Sequence, residues 1–342
     1  MHIIRCDESH AEAWNAFVHR APRASFYHRW EWKAVNEAAF GHQTAYLAAV
    51  DGGHVRGVFP LVRLKSLMFG HIACSMPFVN YGGPAGDGDE VERDLLEAAS
   101  RTADEWGVDY VEIRSRRQFG ERYPTSDHKV SLTIALEPDP DVVMGRMQRD
   151  QRAEIRRAAK QGFTTLFGPE LVDDFYFVLS ESWRDLGTPI YRLDYLRSIV
   201  TAFADATRLC VVYDSEGRPA AGAFDGLHGE TVEGMWLGMR KDYRRQLVGY
   251  VIYWELIKDA CERGFRSFHL GRSSKDSGGE QFKKKWNAEV AQLYWQYILR
   301  TRSEMPSLNP DNPKFQLAIR AWQRLPLSVT QAIGPHIAAY IP

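Results

Sequence analysis

Residues 268–295 read FHLGRSSKDSGGEQFKKKWNAEVAQLYW. The apolar run 265–270 has strand length, and 293–299 is a second, aromatic run of the same kind. Between them lies a glycine- and serine-rich loop that ends in Gly278-Gly279-Glu280-Gln281-Phe282-Lys283. A loop held between two buried strands brings a cation beside a reacting group, and Lys283 is the cation so placed. Read alone, Lys283, Lys284 and Lys285 are equally a solvated run at a strand start. The rest of the chain decides between those readings.

Upstream of this stretch, helical patterns cover about 169–184 and 193–205. Strand patterns follow at 208–213 and 220–224, joined by a turn at 214–217, and again at 231–237. The loop GMRKDYRRQLVG then opens a helix with Tyr250, Tyr253, Trp254, Ile257 and Cys261 on one face, which Gly264 stops. The first half repeats this order. Helices around 11–18 and 30–39 precede a hairpin of 44–50 and 54–64, turned at Asp51-Gly52-Gly53. A third strand, 71–76, leads into the loop PFVNYGGPAGDGD. Val91, Leu95, Ala99, Thr102 and Trp106 then share a helical face, Gly107 ends it, and 108–113 is a buried strand. A further strand, 129–136, completes the half. A repeat of this size predicts an α/β (α+β) chain built from two tandem copies of one domain, residues 1–140 and 141–302, with a short tail at 303–342.

Composition narrows the class. With 44% hydrophobic and 25% charged residues the chain reads as globular, and a formal net charge of -1 excludes a dedicated nucleic-acid coat. Four scattered cysteines without a CxxC pair give neither a zinc site nor a disulfide framework, which suits a reducing cytoplasm. Eleven dispersed histidines offer no metal spacing, and G-x-S-x-G is absent. The opening MHIIRCDESHAEAW lacks a signal-peptide profile, and no apolar run reaches the roughly eighteen residues of a spanning helix. A cytoplasmic protein is expected.

The order of elements resembles the acetyltransferase-like GNAT fold, whose loop before the main helix holds a pyrophosphate in the pattern Gln/Arg-x-x-Gly-x-Gly/Ala. Gln246-Leu247-Val248-Gly249-Tyr250-Val251 matches the first two landmarks and has Val251 where that family has a small residue. Tandem GNAT-like halves ending in G-x-x-x-F-K resemble the FemAB/FemX family of aminoacyl transferases. Two further stretches are similar to that family: the basic helix RAEIRRAAKQGF at 152–163 and the Gly-Pro-x-x-Asp loop NYGGPAGD at 80–87. WRDLGTPIY at 183–191, with LGRSSKDSGGEQFKKKWNAE, most resembles the FemAB-like proteins found with exopolysaccharide and exosortase (PEP-CTERM) systems. The resemblance spans about residues 1–300, without the long coiled-coil arm of some members.

It implies transfer of an activated acyl or aminoacyl group onto an amine of a cell-envelope or exopolysaccharide precursor, either a peptide or a lipid-linked saccharide. The donor would be aminoacyl-tRNA, making tRNA a partner, or acyl-CoA, with no permanently bound cofactor. Lys283, in the pair Phe282-Lys283, would stabilise developing charge, and Asp87 would orient the acceptor amine. Asn80, Tyr81, Arg184, Asp185, Tyr191, Arg272 and Ser273 are the candidate substrate contacts. Arg152, Arg156, Arg244, Arg245, Gln246 and Gly249 are the candidate donor and phosphate contacts. Plainer readings stand beside these: Arg184 and Asp185 as a pair at a helix end, Asp87 as a polar loop residue, and the basic helix as a solvated face. Glu280 is a conceivable general base.

Asn309-Pro310-Asp311-Asn312-Pro313 reads as a linker. Beyond it, Ile319, Trp322, Val329, Ile333 and Ile337 form a partly amphipathic segment broken by Pro326 and Pro335. That segment is expected to pack back onto a domain, with peripheral contact at the inner face of the membrane as the alternative. Two competing functions remain: a coenzyme A-dependent N-acetyltransferase, and a non-catalytic module that binds a glycan or peptide precursor.

Overall fold

The computed structural model describes residues 1–66, 70–302, 304–306 and 313–341. In chain order the first elements are β1 (His2–Arg5), α1 (Ala11–Arg20), α2 (Glu31–Phe40), β2 (Gln43–Asp51), β3 (His54–Ser66), β4 (Gly70–Cys74), β5 (Ala85–Gly86), α3 (Asp89–Trp106), β6 (Tyr110–Ser115) and β7 (Thr125–Ala135). Next come α4 (Pro140–Gly145), α5 (Arg149–Ala158), β8 (Thr164–Phe167), α6 (Val172–Leu186), α7 (Leu193–Ala202), β9 (Thr207–Tyr213), β10 (Pro219–His228) and β11 (Thr231–Met239). The chain continues through α8 (Val248–Glu262), β12 (Ser267–Ser274), α9 (Gly278–Lys284), β13 (Glu289–Leu299), α10 (Pro313–Trp322) and α11 (Leu327–Ala338).

Two compact units result: Met1–Lys129 with Gln292–Ser307 and Tyr340–Pro342, and Val130–Ala291 with Leu308–Ala339. The first unit's strands run β1-β2-β3-β4-β6-β13, with β1 to β4 antiparallel and β4 parallel to β6. Period-two alternation splits β2 between two cores. Ala45, Leu47 and Ala49 meet Leu95, Ala99 and Trp106 of α3, while Tyr46 and Ala48 meet Trp14, Phe17 and Val18 of α1. Asp89, Glu90 and Glu92 in the first turn of α3 complement its dipole, and Gly107 closes it in the left-handed region.

The second unit repeats this plan in the order β8-β9-β10-β11-β12-β7, with β9 and β11 antiparallel to β10 and β11 parallel to β12. Helix α8 buries Val248, Ile252, Leu256 and Ile257 against Cys210, Val212, Ala223, Val232 and Phe268. Thus β2–β3–β4–α3–β6 and β9–β10–β11–α8–β12 match element for element, and the chain has the tandem GNAT architecture.

Several details differ from the sequence reading. The compact units meet at 129/130 rather than at 140/141. The strand at 293–299 does not close the second half: as β13 it pairs with β6, from Tyr294↔Ser115 to Leu299↔Tyr110. Its fully buried Gln296 takes the Phe119 N–H at 2.6 Å and donates to Gly120 O (3.1 Å) and Thr125 Oγ1 (3.0 Å), which satisfies a polar side chain inside a strand. Gly278 to Lys284 is helical, not a loop. Pro326 breaks the tail as expected, but Pro335 lies within α11. The tail packs on the second unit: Gln323 Nε2 donates to Asp185 O at 3.0 Å, and α11 lies so close that a Cβ on Gly334 would be 3.0 Å from the Ile190 nitrogen. The linker residues 309–312 lie outside the described residues.

Candidate functional site

Helix α9 is built to aim one side chain. Ser277 caps it, its hydroxyl accepting the Glu280 N–H at 3.2 Å. The buried Glu280 carboxylate accepts the Asp276 N–H and pairs with Lys284 Nζ at 2.6 Å, and the Lys284 bond holds its pKa below the usual glutamate value. Glu280 therefore fastens the loop to the helix, and as an anion already committed it makes a poor general base. Phe282 packs edge-on against Tyr250 and Tyr253, each at 5.4 Å, and against Trp286 at 6.2 Å. That aromatic seat fixes the rotation of α9, so Phe282 acts through packing while its neighbour turns toward the sheet.

The neighbour is Lys283. Its ammonium donates to the carbonyls of Gly271 (3.2 Å) and Arg272 (3.1 Å) on β12. Among the described residues no carboxylate pairs with it. Burial, and secondly the positive charge of Arg272, lower its pKa from 10.5 to about 7. The backbone that cradles it is unusual. The parallel β11–β12 ladder covers only Thr231↔Ser267 to Glu233↔His269, and just beyond it Gly234 of β11 and Gly271 of β12 come into close contact. Gly271 has φ +75°, and a Cβ there would lie 2.9 Å from the Gly234 carbonyl. Gly271→Ala is therefore expected to cost about 1–3 kcal/mol and to displace the carbonyl that holds Lys283. Thermal unfolding checks the first effect, and amine titration of Lys283 followed by NMR checks the second.

Composition gave no hint of a pair beside this cradle. Glu233 and His269, both buried, face each other across β11 and β12 with Oε2 3.3 Å from Nδ1, and Nδ1 lies 3.2 Å from the Gly271 nitrogen. The available signal was an ionisable residue set between apolar or glycine neighbours in each strand, Glu233 between Val232 and Gly234 in TVEGMWLGM and His269 between Phe268 and Leu270 in SFHLGRSS.

The start of α8 lies close by. Leu247 precedes the helix at φ +62°, and no side chain caps its first turn. A Cβ on Gly249 would be 3.1 Å from Met239 Sδ and 3.6 Å from Phe282 Cζ, so this glycine lets α8 close on β11 and α9. Arg244, Arg245 and Gln246 are exposed on the turn before it. The Phe163 and Tyr243 rings, 6.1 Å apart, bring the end of the basic segment against this same turn. Arg149, Arg156 and Lys160 on that segment are exposed. Arg152 is different: its guanidinium donates to the Met147 carbonyl at 2.6 Å, tying α5 to the end of α4 rather than facing a donor.

Of the remaining candidates in this unit, Arg272 contributes its carbonyl to the Lys283 cradle, and Ser273 is buried next to it on β12. Arg184 and Asp185 bond to each other at 2.8 Å at the end of α6, as a structural pair. Tyr191 is buried in an aromatic cluster with Trp183, Tyr195 and Trp236 at 5.3–5.8 Å.

In the first unit, the loop after β4 is filled by its own side chains. Met76 (φ 51°) and Phe78 (φ 73°) are buried in left-handed backbone, and Asn80 Nδ2 donates to the Tyr27 hydroxyl at 2.8 Å. Tyr81 borders a cavity of about 200 Å³ that His28, Gly83, Arg116 and Arg117 also line. Asp87 is outside that lining and pairs with Arg56 at 3.1 Å. Among the described residues no group of three His, Cys, Asp or Glu side chains is placed to hold a metal ion.

Residues 145–284, the segment that contains α5, α8, the β11–β12 cradle and α9, match the Acetyltransferase (GNAT) domain family. The whole chain is similar in structure to FemX, with a TM-score of 0.66 at 15% identity over 93% of this chain and 100% of that one. It is also similar to L-PGS from Bacillus licheniformis (TM-score 0.56, 15% identity, 94% and 98% covered). A tandem GNAT protein from the clavulanic acid biosynthesis pathway gives a TM-score of 0.55 at 12% identity, with 89% and 99% covered. No curated protein matches the sequence. At these identities the structural likeness establishes the tandem fold shared with FemX.

Proposed function

We propose that the chain is an acyl or aminoacyl transferase of the FemX type, with Lys283 at its reaction centre. The observation that carries this reading is an ammonium of lowered pKa, cradled by two main-chain carbonyls and unpaired with any described carboxylate, in the segment that matches the GNAT domain. The acceptor amine attacks the donor's ester or thioester carbonyl and a C–N bond forms. The carbonyl oxygen gains negative charge beside Lys283, the C–O or C–S bond breaks, and the amine's proton leaves with the departing group or to solvent. Ester and thioester donors arrive activated, so positioning and charge stabilisation supply most of the acceleration.

The donor carries phosphates, and the uncapped start of α8 with Arg244 and Arg245 is its docking point. Aminoacyl-tRNA is the favoured donor, because exposed cations continue from this turn along α5 beyond the reach of one pyrophosphate. Acyl-CoA is the second reading, supported by Gln246 and Gly249 and opposed by Val251 in the position of a small residue. The resemblance to the FemAB/FemX family supports an acceptor from the cell envelope, and an exopolysaccharide precursor is the finer possibility that the PEP-CTERM-like motifs favour. Arg244→Gln with Arg245→Gln is expected to weaken donor binding about tenfold and to flatten its salt dependence by about two phosphate contacts. Filter binding of aminoacyl-tRNA and thermal shift with acetyl-CoA, each across a salt series, show which donor responds. Loss of neither interaction would remove this docking point.

A further inference from the structure

We infer that α10 is a peripheral docking surface for an anionic phospholipid bilayer. Its inner side is fixed: a Cβ on Gly187 would lie 2.5 Å from Ile319 Cγ2, and Gln323 bonds the Asp185 carbonyl, so Ile319 and Gln323 face the end of α6. Helical spacing then puts Leu317 and Arg320 together on the opposite side, and Arg324 follows in the turn that ends α10. Leu317 is 71% exposed, and Leu186, beside the Gly187 contact, is 60% exposed. Arg320 and Arg324 are exposed, and among the described residues neither has an ion-pair partner.

The charge of the segment is one-sided. Residues 313–342 contain Lys314, Arg320 and Arg324 and no Asp or Glu, in a chain whose formal net charge is -1. Cations flanking an exposed leucine are the pattern of a helix that rests on a membrane surface, where apolar insertion and attraction to anionic headgroups act together. A nucleic acid would use the guanidinium groups but would gain nothing from Leu317. No helix among the described residues is long and apolar enough to cross a membrane, so the contact is peripheral. It would bring the second unit to the surface where lipid-linked substrates lie, yet it does not depend on the transfer chemistry.

Co-sedimentation of the full chain with vesicles tests the inference. Wild type is expected to pellet with phosphatidylcholine vesicles containing phosphatidylglycerol and to stay in solution with phosphatidylcholine alone. Leu317→Asp should lower the bound fraction about fivefold, and Arg320→Glu with Arg324→Glu should abolish binding. Both changes are at exposed positions, so unchanged melting curves will show the fold intact. Equal pelleting of wild type and both variants, no pelleting of wild type, or loss of RNA binding in the variants with vesicle binding preserved would each overturn it.

Discussion

Lys283→Met is expected to yield a protein that is inactive in transfer and more stable than the parent. The ammonium of Lys283 is lowered to about pKa 7 chiefly by burial, so holding it charged costs folding free energy. The unfolded chain keeps an ordinary lysine and binds more protons than the folded chain between about pH 7 and 10.5. Stability from this group therefore rises with pH across that window, and its cost is full below pH 7 and gone above 10.5. Methionine fills similar volume without the charge, and a gain of about 2 kcal/mol near pH 6 is expected, shrinking toward pH 10. Melting curves of both proteins at these two pH values check it. A preorganised donor to an oxyanion is worth about 10²–10³ in rate, which sets the expected loss of transfer. A variant that is less stable at every pH would show that Lys283 is a structural ion rather than a strained functional one.

Phe282→Ala is expected to have the largest structural effect at the site. The ring touches Tyr250, Tyr253 and Trp286, and its removal would leave a cavity under a helix only seven residues long. A loss of about 3 kcal/mol follows from such truncations, and α9 would lose the contact that sets its rotation. Transfer should then fall with Lys283 still present. Phe282→Leu keeps apolar volume, so it should restore most of the stability and most of the rate. Chemical denaturation and initial rates on the two variants separate an anchor from a group that meets substrate. A natively stable Phe282→Leu protein as inactive as Phe282→Ala would mean that the ring contacts substrate directly.

How much of this was legible in the sequence depended on how local the signal was. The hairpins β2–β3 and β9–β10 and the faces of α3 and α8 follow from two- and 3.6-residue periods, and the tandem repeat follows from them. The partner of β13 did not, because alternation within 293–299 marks a strand without naming its neighbour. Two glycines made α9 read as loop, although Ser277 with Glu280 three residues on is a helix-start pattern. Lys283 was legible as the cation of the motif, but its cradle needs Gly271 and Gly234 to meet across two strands. Arg152 looked like one more member of a positive face, and only the fold shows its guanidinium turned onto the Met147 carbonyl. Asp87 and Tyr81, neighbours in one motif, part company because Tyr81 borders the cavity while Asp87 pairs with Arg56.

Acyl transfer to an amine at Lys283 can be tested without knowledge of the natural acceptor by hydroxylamine, a small amine that is neutral at neutral pH. Wild type and Lys283→Met would each be incubated with hydroxylamine and either labelled aminoacyl-tRNA or labelled acetyl-CoA, and hydroxamate formation would be followed. The prediction is enzyme-dependent hydroxamate from at least one donor with wild type, reduced at least a hundredfold in Lys283→Met. Hydroxamate formed at equal rates by both proteins, or by neither with either donor, would contradict it.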